Sequence, residues 1–412
     1  MLSVDEARER ILTHFSPLPA EDVPLPEALG RVLADDAVAR EPLPRFANSA
    51  MDGYAVRAAD TPAATSEAPV RLRLAGEVPA GSVYAGVVGP GEAVRILTGA
   101  PLPAGADAVL QQELTRAGED AGEDWVELLE PAPPGNNVRM PGEDVAPGAV
   151  LVPHGSEIGP AEIALLAALG VHPVRATRRP RVAILSTGDE LAPLGAEPRP
   201  GQIRESNGPY LVAAVRRAGG EPVRLGIARD REDDLRAKLA AARDADLVLT
   251  SGGVSVGDYD LVKQMLAEQG NVEFWRVRMR PGKPLAFGFL GATPLLGLPG
   301  NPVSAAVTFE LFGRPAIRRM LGAAQVERPV VDVVLAGEAI ERADRRQFVR
   351  ARLSSEQATL VAHPTGAQGS HIISSLRGAT ALLVIFEGAG YVHAGEHVPA
   401  LLLNDELPWG ND

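Results

Sequence analysis

Cysteine is absent from this 412-residue chain, which excludes thiolate zinc sites, iron–sulfur clusters, disulfides and cysteine nucleophiles together. Any metal must be held by oxygen or imidazole ligands. No run of eighteen apolar residues occurs, so no helical membrane span is expected. The N-terminal stretch MLSVDEARERILTHF is acidic and amphipathic with no basic-then-apolar leader, and a cytoplasmic setting is expected. Basic residues are outnumbered, 40 against 53 acidic, for a net charge of −13. Nucleic acid and anionic membranes both require a broad basic face, so neither is an expected partner. A local pocket can still be positive. Lysine is nearly missing: only Lys238, Lys263 and Lys283 occur. Arginine serves wherever a solvated charge suffices, so a retained lysine, a compact point charge rather than a planar fork, hints at function.

The length is too great for one core and suggests two to four domains. The first forty residues predict a helix from Val4 to Phe15, a Pro-rich loop and a second helix near Glu27 to Arg31. From Ala50 to about Val138, short β-like runs broken by Gly and Pro predict a small β module. A turn-rich stretch then leads to a helix from Pro160 to Leu169, closed by Gly170. From Arg181 to Met320 strands alternate with helices: RVAILST, then Gly208 to Ala218; EPVRLGIARD, then Glu232 to Ala242; DLVLTSGG, then Leu261 to Gln269. Extended runs FWRVRMRPG, PLAFGFL and PLLGLPG follow, and a long helix from Val303 to Met320. Such alternation predicts βαβ units on a parallel sheet. After Arg328 a β pattern returns, predicting a small barrel or sandwich of about eighty residues.

In an open parallel sheet, ligands sit beyond the carboxyl ends of the strands. Here every strand end carries hydroxyls, glycines or carboxylates: Ser186-Thr187-Gly188-Asp189-Glu190; Arg229-Asp230; Ser251-Gly252-Gly253-Val254-Ser255-Val256-Gly257-Asp258-Tyr259-Asp260; and Pro299-Gly300-Asn301-Pro302 before Ser304. The glycines of SGGVSVG let backbone N–H groups approach an anion beside a helix N-terminus, so a phosphate-bearing small molecule is expected. A plain tight turn is the competing account of that loop. The pattern is neither the Walker loop nor the dinucleotide G-x-G-x-x-G. Glu190, Asp230, Asp258 and Asp260 could carry a hard cation, since Mg²⁺ takes one or two carboxylates plus phosphate oxygens, and Glu190 and Asp260 suit it best. Asp258 reads better as a helix cap. Arg280-Pro281-Gly282-Lys283 sets two cations three apart in a rigid turn, pointing to an oxyanion. His393 and His397 do not share a helical face, so no zinc site is expected. His371, in a polar loop, is either structural or ligand-facing. Ser186 and Ser255 lack a recognisable His/Asp partner signature, which argues against a hydrolase triad.

The chain resembles the molybdopterin molybdenumtransferase family, the bacterial molybdenum-insertion enzymes related to the gephyrin C-terminal domain. The matching motifs are Asn48-Ser49-Ala50-Met51-Asp52-Gly53-Tyr54-Ala55, Arg95-Ile96-Leu97-Thr98-Gly99-Ala100, Gly142-Glu143-Asp144 and Ser186-Thr187-Gly188-Asp189-Glu190-Leu191. The SGGVSVG loop with Asp260, Pro281-Gly282-Lys283-Pro284 and Leu298-Pro299-Gly300-Asn301-Pro302-Val303-Ser304 complete them, in family order over nearly the whole length.

The resemblance implies an α/β and β multidomain protein in four parts. These are an elongated helical and β N-terminal domain (1–45 plus 139–177), an inserted β module (46–138), a doubly wound α/β molybdopterin-binding domain (178–326) and a C-terminal β-barrel (327–412). It implies an elongated homodimer whose cleft draws on both subunits, with molybdopterin adenylyltransferase and molybdoenzyme-delivery proteins as further partners. The implied reaction transfers molybdate to adenylylated molybdopterin with Mg²⁺-dependent loss of AMP. By the same resemblance, catalytic roles fall to Asp52, Thr98, Asp144, Asp230, Lys263 and Lys283. Substrate or phosphate binding falls to Ser186, Thr187, Gly252, Gly253, Ser255, Arg280, Pro299, Pro302, Arg350 and Ser370, and Mg²⁺ to Glu190 and Asp260. Arg280 departs from the family, which often has lysine there. A scaffold without catalysis and an adenylyltransferase acting one step earlier are the competing functions; the flanking β modules and the MDGYA string favour the transferase.

Overall fold

The computed structural model describes residues 1–229, 231–253 and 272–404. The chain divides into two compact units, one of Met1–Asp35, His154–Ile163 and Pro173–Asp412, the other of Asp36–Pro153 and Ala164–His172. The predicted helix Leu261 to Gln269 lies outside the described residues.

The smaller unit is organised by a six-stranded sheet. Its order is Ala108–Gln111, Gly53–Val56, Glu92–Ile96, Val70–Val78, Glu123–Leu128 and Thr115–Asp120. Only Val70–Val78 and Glu92–Ile96 run parallel. Alternation along Gly53–Val56 sends Tyr54 and Val56 to one apolar cluster and Ala55 to the other, so the strand is buried on both faces. Gly53 is required by close approach: a Cβ there would collide with the Leu110 carbonyl of the neighbouring strand.

In the larger unit a second six-stranded sheet runs Glu221–Ala228, Arg181–Thr187, Leu247–Ser251, Thr293–Leu298, Pro284–Leu290 and Val272–Arg276. The first four strands are parallel. Residue alternation splits the Arg181–Thr187 strand between two cores. Val182 and Ile184 meet the helices Asn207–Arg217, Pro302–Thr308 and Arg314–Met320. Ala183 and Leu185 meet the helix Glu232–Ala241 on the opposite face. A strand covered on both faces reads as a continuous apolar run, as RVAIL does. This is the doubly wound α/β arrangement.

The sheet departs from the expected all-parallel pattern at its far edge. Pro284–Leu290 pairs antiparallel with both Val272–Arg276 and Thr293–Leu298. No helix separates these runs. Leu290 pairs with Thr293, and the two-residue turn begins at Gly291 with φ +63°. Such a turn closes a hairpin and leaves no length for a crossover.

Two helical expectations are also corrected. The second helix near Glu27 to Arg31 is instead a single 3₁₀ turn, Leu25–Glu27. Pro24 and Pro26 cannot donate, and Gly30 turns left-handed at φ +69° to give its N–H to the Ile158 carbonyl, so no α-helical turn can build. The long helix Val303 to Met320 is interrupted by a π-helical stretch, Phe309–Gly313, ahead of Arg314–Met320. Pro315 has no N–H for the Leu311 carbonyl, and a widened turn accommodates the missing bond. Phe309 and Phe312 of that turn are both fully buried, each contributing on the order of 2 kcal/mol through burial. The N-terminal helix runs Val4–Leu12, opened by a reciprocal capping box between Ser3 and Glu6. Its Val4, Ala7 and Ile11 enter the same core as the sheet.

The C-terminal segment closes into a five-stranded barrel. Arg346–Glu356 pairs with Thr359–Pro364, which pairs with Val330–Leu335, then His397–Leu402, then Ala381–Ile385, and that strand returns to Arg346–Glu356. Closure leaves no free edges within the five strands. Val333, Leu335, Val349, Ala351, Leu353, Leu383 and Ala400 fill the interior. Phe348, Leu382 and Leu401 point outward and join the core of the α/β domain. Among the described residues no helix is long and apolar enough to cross a membrane.

Candidate functional site

The strand ends of the α/β domain surround a cleft of about 500 Å³. Ser186, Thr187, Glu190, Gly252 and Pro302, all singled out in the sequence, line it, with Ser251, Gly300, Asn301 and His371. His371 thus faces the cleft. Leu191 and Ile203 supply its apolar wall. Gly252 has φ +94°, and a Cβ there would stand 2.8 Å from the Thr187 carbonyl oxygen and 2.7 Å from Thr187 Oγ1. Only glycine lets the two strand ends approach that closely. Gly253 follows with φ +70°. Pro299 is buried in the turn that leads into the helix Pro302–Thr308.

Two residues that the sequence did not disclose organise this floor. Glu205 is 4% exposed and accepts a hydrogen bond from Ser186 Oγ at 2.9 Å and from Arg224 Nη2 at 2.7 Å; the backbone N–H of Gly208 also donates to it. With Ser186 Oγ donating to Glu205 Oε1, the Ser186 proton is directed away from the cleft. Asn207 donates through Nδ2 to the Gly300 carbonyl at 2.7 Å and to Ser251 Oγ at 2.8 Å. The Gly300 carbonyl demands a donor, which fixes the amide orientation. Ser251 must then accept from Asn207 and keeps its own proton for a ligand. The available signal was Glu205-Ser206-Asn207 opening the helix Asn207–Arg217; apart from the local Gly208 N–H, their partners lie from 19 to 93 residues away, beyond any local pattern.

Glu190 is the candidate metal ligand within the described residues. Its carboxylate folds back over Gly188, where a Cβ would collide with it. The side chain has no hydrogen-bond or ion-pair partner among the described residues. No group of three or more His, Asp or Glu that could hold a metal is present among them either. Asp260, its expected companion, lies outside the described residues, as do Asp230, Ser255 and Lys263.

A second cavity, about 970 Å³, opens at the mouth of the barrel and is lined by Arg280, Pro281, Arg342, Gln347, Arg350 and Gln368 among others. Arg350 is 1% exposed and has no carboxylate partner among the described residues. Its Nε donates to Ser375 Oγ at 3.1 Å and Nη2 to the Gly369 carbonyl at 3.4 Å. Burial draws its pKa down to about 10. Ser370, next along, accepts from the Val303 backbone N–H at 3.1 Å. One short loop therefore connects the buried cation to the helix that borders the cleft. Lys283 is half-buried and anchored by its carbonyl, which accepts from Val277 N–H at 2.8 Å. Gly282 beside it has φ +100° and lies close against Thr308.

Asp52, Thr98 and Asp144 belong to the smaller unit. Asp52 and Thr98 are hydrogen-bonded to each other; Asp144 is exposed and held through its backbone N–H, which donates to the Leu43 carbonyl at 3.0 Å.

Three family models match in succession: the MoeA N-terminal region, domains I and II, over residues 2–170; a probable molybdopterin binding domain over 183–319; and the MoeA C-terminal region, domain IV, over 332–403. Molybdopterin molybdenumtransferase 2 of Mycobacterium tuberculosis is 43% identical over 380 residues, 90% of this chain and 92% of that protein. The chain belongs to the molybdopterin molybdenumtransferase (MoeA) family. Molybdopterin molybdenumtransferase of Haemophilus influenzae, a fellow member, is 38% identical over 402 residues, covering 97% and 98% of the two chains. Two crystal structures of the MoeA molybdopterin biosynthesis protein from Pyrococcus horikoshii match with TM-scores of 0.84 and 0.82 at 35% and 33% identity. Each covers 98% of this chain and 100% of its own. The barrel and the doubly wound domain are thus MoeA-family parts.

Proposed function

We propose that this protein is a molybdopterin molybdenumtransferase that inserts molybdate into adenylylated molybdopterin, with Mg²⁺-dependent release of AMP. The observation that carries the reading is Arg350, a buried guanidinium without a carboxylate partner among the described residues, lining one cavity and one loop away from the cleft at the strand ends. A buried cation without a counter-charge favours an oxyanion, and molybdate is one.

In this reading Ser251 Oγ–H and the glycine loop from Gly252 donate to the phosphate, with Ser186, Thr187 and Pro302 completing the floor. Leu191 and Ile203 flank the ring system. Arg280 adds positive charge in the cavity that Arg350 lines, Lys283 follows three residues on, and Ser370 orients the Arg350 loop. Asp52, Asp144 and Asp230 carry the proton transfers, with Thr98 and Lys263 placing their partners. Glu190 fits Mg²⁺ because its carboxylate is unpartnered among the described residues, oxygen is the ligand this ion prefers, and phosphate oxygens would fill the remaining positions. Asp260 is the proposed second ligand. When bound, the ion would offset the negative charge of the phosphate oxygens. The reading includes a cytoplasmic homodimer.

The test is a mixture of the purified protein with adenylylated molybdopterin, Mg²⁺ and molybdate. Stoichiometric AMP and molybdenum-loaded cofactor are expected; absence of AMP sinks the proposal.

A further inference from the structure

The loop Gly188–Leu191 carries Glu190 into the cleft, and each of its four carbonyls already has a donor. Ile203 N–H donates to the Glu190 carbonyl at 2.8 Å. The other three are held by a single nitrogen, Nη1 of Arg229, at 3.4 Å from Gly188 O, 3.2 Å from Asp189 O and 3.0 Å from Leu191 O. Gln202 Nε2 adds a second bond to Asp189 O at 3.2 Å. The backbone is thus fixed on both sides of Glu190 while its carboxylate is left unpartnered among the described residues. Gly188 supplies the space over which that carboxylate folds.

Arg229 is itself anchored. It leaves the end of the strand Glu221–Ala228, and its N–H donates to Asp234 Oδ2 at 2.8 Å. Lys238 Nζ holds the other oxygen of Asp234 at 2.5 Å, one turn along the helix Glu232–Ala241. Strand end, helix start and loop are therefore tied through one residue, its backbone N–H on Asp234 and its guanidinium on the loop carbonyls. Nη1 carries two N–H groups for three carbonyls, so at least one of these bonds is shared.

We propose that Arg229 is a positioning residue that sets the direction of the Glu190 carboxylate in the cleft. It touches no substrate; it acts by pinning the loop that carries Glu190. The loop-pinning stands on geometry alone, whereas its service to a metal rests on the function proposed above.

The experiment uses the full chain with Arg229→Ala and Arg229→Met. Hydrogen exchange followed by mass spectrometry on the peptide covering 187–203 should be about tenfold faster in both variants. Exchange in the strand Leu247–Ser251 should stay at its wild-type rate. Millimolar methylguanidinium should restore protection in Arg229→Ala but not in Arg229→Met, where the cavity is filled. Unchanged exchange in the loop overturns the proposal, as does loss of protection across the whole sheet. A second measurement titrates Mn²⁺ by electron paramagnetic resonance. Arg229→Ala should weaken Mn²⁺ binding about fivefold in the wild-type background and not at all on Glu190→Gln. Equal weakening in both backgrounds overturns the positioning role. Should Glu190→Gln alone leave Mn²⁺ affinity untouched, the metal assignment of Glu190 falls, and the exchange result still decides for or against Arg229.

Discussion

Thr98 grips one oxygen of Asp52 twice, with its backbone N–H and its hydroxyl each 2.7 Å from Oδ1. The pairing follows from strand register. Asp52 precedes Gly53, which pairs with Ile96, two residues before Thr98. The backbone bond first, then the hydroxyl, with a smaller contribution from Arg95, holds the Asp52 carboxyl below the ordinary carboxylate range.

Thr98→Val keeps the shape and the N–H but removes one donor. The Asp52 pKa should rise toward its ordinary value, read by carbon NMR of the carboxyl across an acid titration. The sign is definite: a depressed carboxylate stabilises the fold above its unfolded pKa, and this is lost as pH falls through the folded value. Thr98→Val should shrink that acid-side loss. An unchanged titration would show that the hydroxyl does not set the charge.

Asp246 ties the starts of two neighbouring parallel strands. Its oxygens accept from Arg178 at 2.7 and 2.6 Å and from the Arg181 backbone N–H at 2.7 Å. Burial pushes its pKa up, but the Arg178 fork and the Arg181 N–H outweigh this and leave it lowered. Asp246→Ala should cost roughly 2 kcal/mol in urea unfolding, since it strands a charged donor and a backbone N–H. A loss below about 0.5 kcal/mol would mean solvent replaces these bonds freely.

Arg350→Met is expected to separate stability from function. Replacing a buried charge that has no counter-charge among the described residues by an apolar chain of similar length should leave the melting temperature equal or higher. Molybdate binding, followed calorimetrically, should fall below detection. In the wild type, binding should fade as pH climbs through about 10, where the guanidinium loses its proton. A strongly destabilised Arg350→Met that still bound molybdate would refute this assignment.

Gly252→Ala places a methyl group against the Thr187 carbonyl, in a left-handed backbone that only glycine adopts easily. A loss of about 1–3 kcal/mol is expected, with AMP affinity falling more than the overall stability suggests. Equal AMP binding in wild type and variant would remove Gly252 from the ligand's surroundings.

How much was legible in the sequence depended on the range of the forces involved. Strand–helix alternation from Arg181 onward is local, and the helices Asn207–Arg217 and Glu232–Ala241 start and stop within a residue of expectation. The antiparallel edge was concealed because apolar strands look alike in either direction; Gly291 was its only local mark. The π stretch at Phe309–Gly313 hung on one proline within an otherwise regular periodicity. In the cleft, the glycine and hydroxyl runs stood out because they break apolar strands abruptly. Glu205, Arg224 and Asn207 did not, since a buried carboxylate in sequence looks like any surface acid until its partners are folded around it.

The apolar core of the larger unit contains both Val4 and Leu401. A ribosome adding about 5–20 residues per second needs roughly 20–80 s between those two residues. Throughout that interval the apolar face of the first helix has no complete seat, while the smaller unit, whose residues run only from Asp36 to His172, can already be finished. The strand His397–Leu402 thus completes a core begun by the helix Val4–Leu12, and chaperone demand during synthesis should track the larger unit.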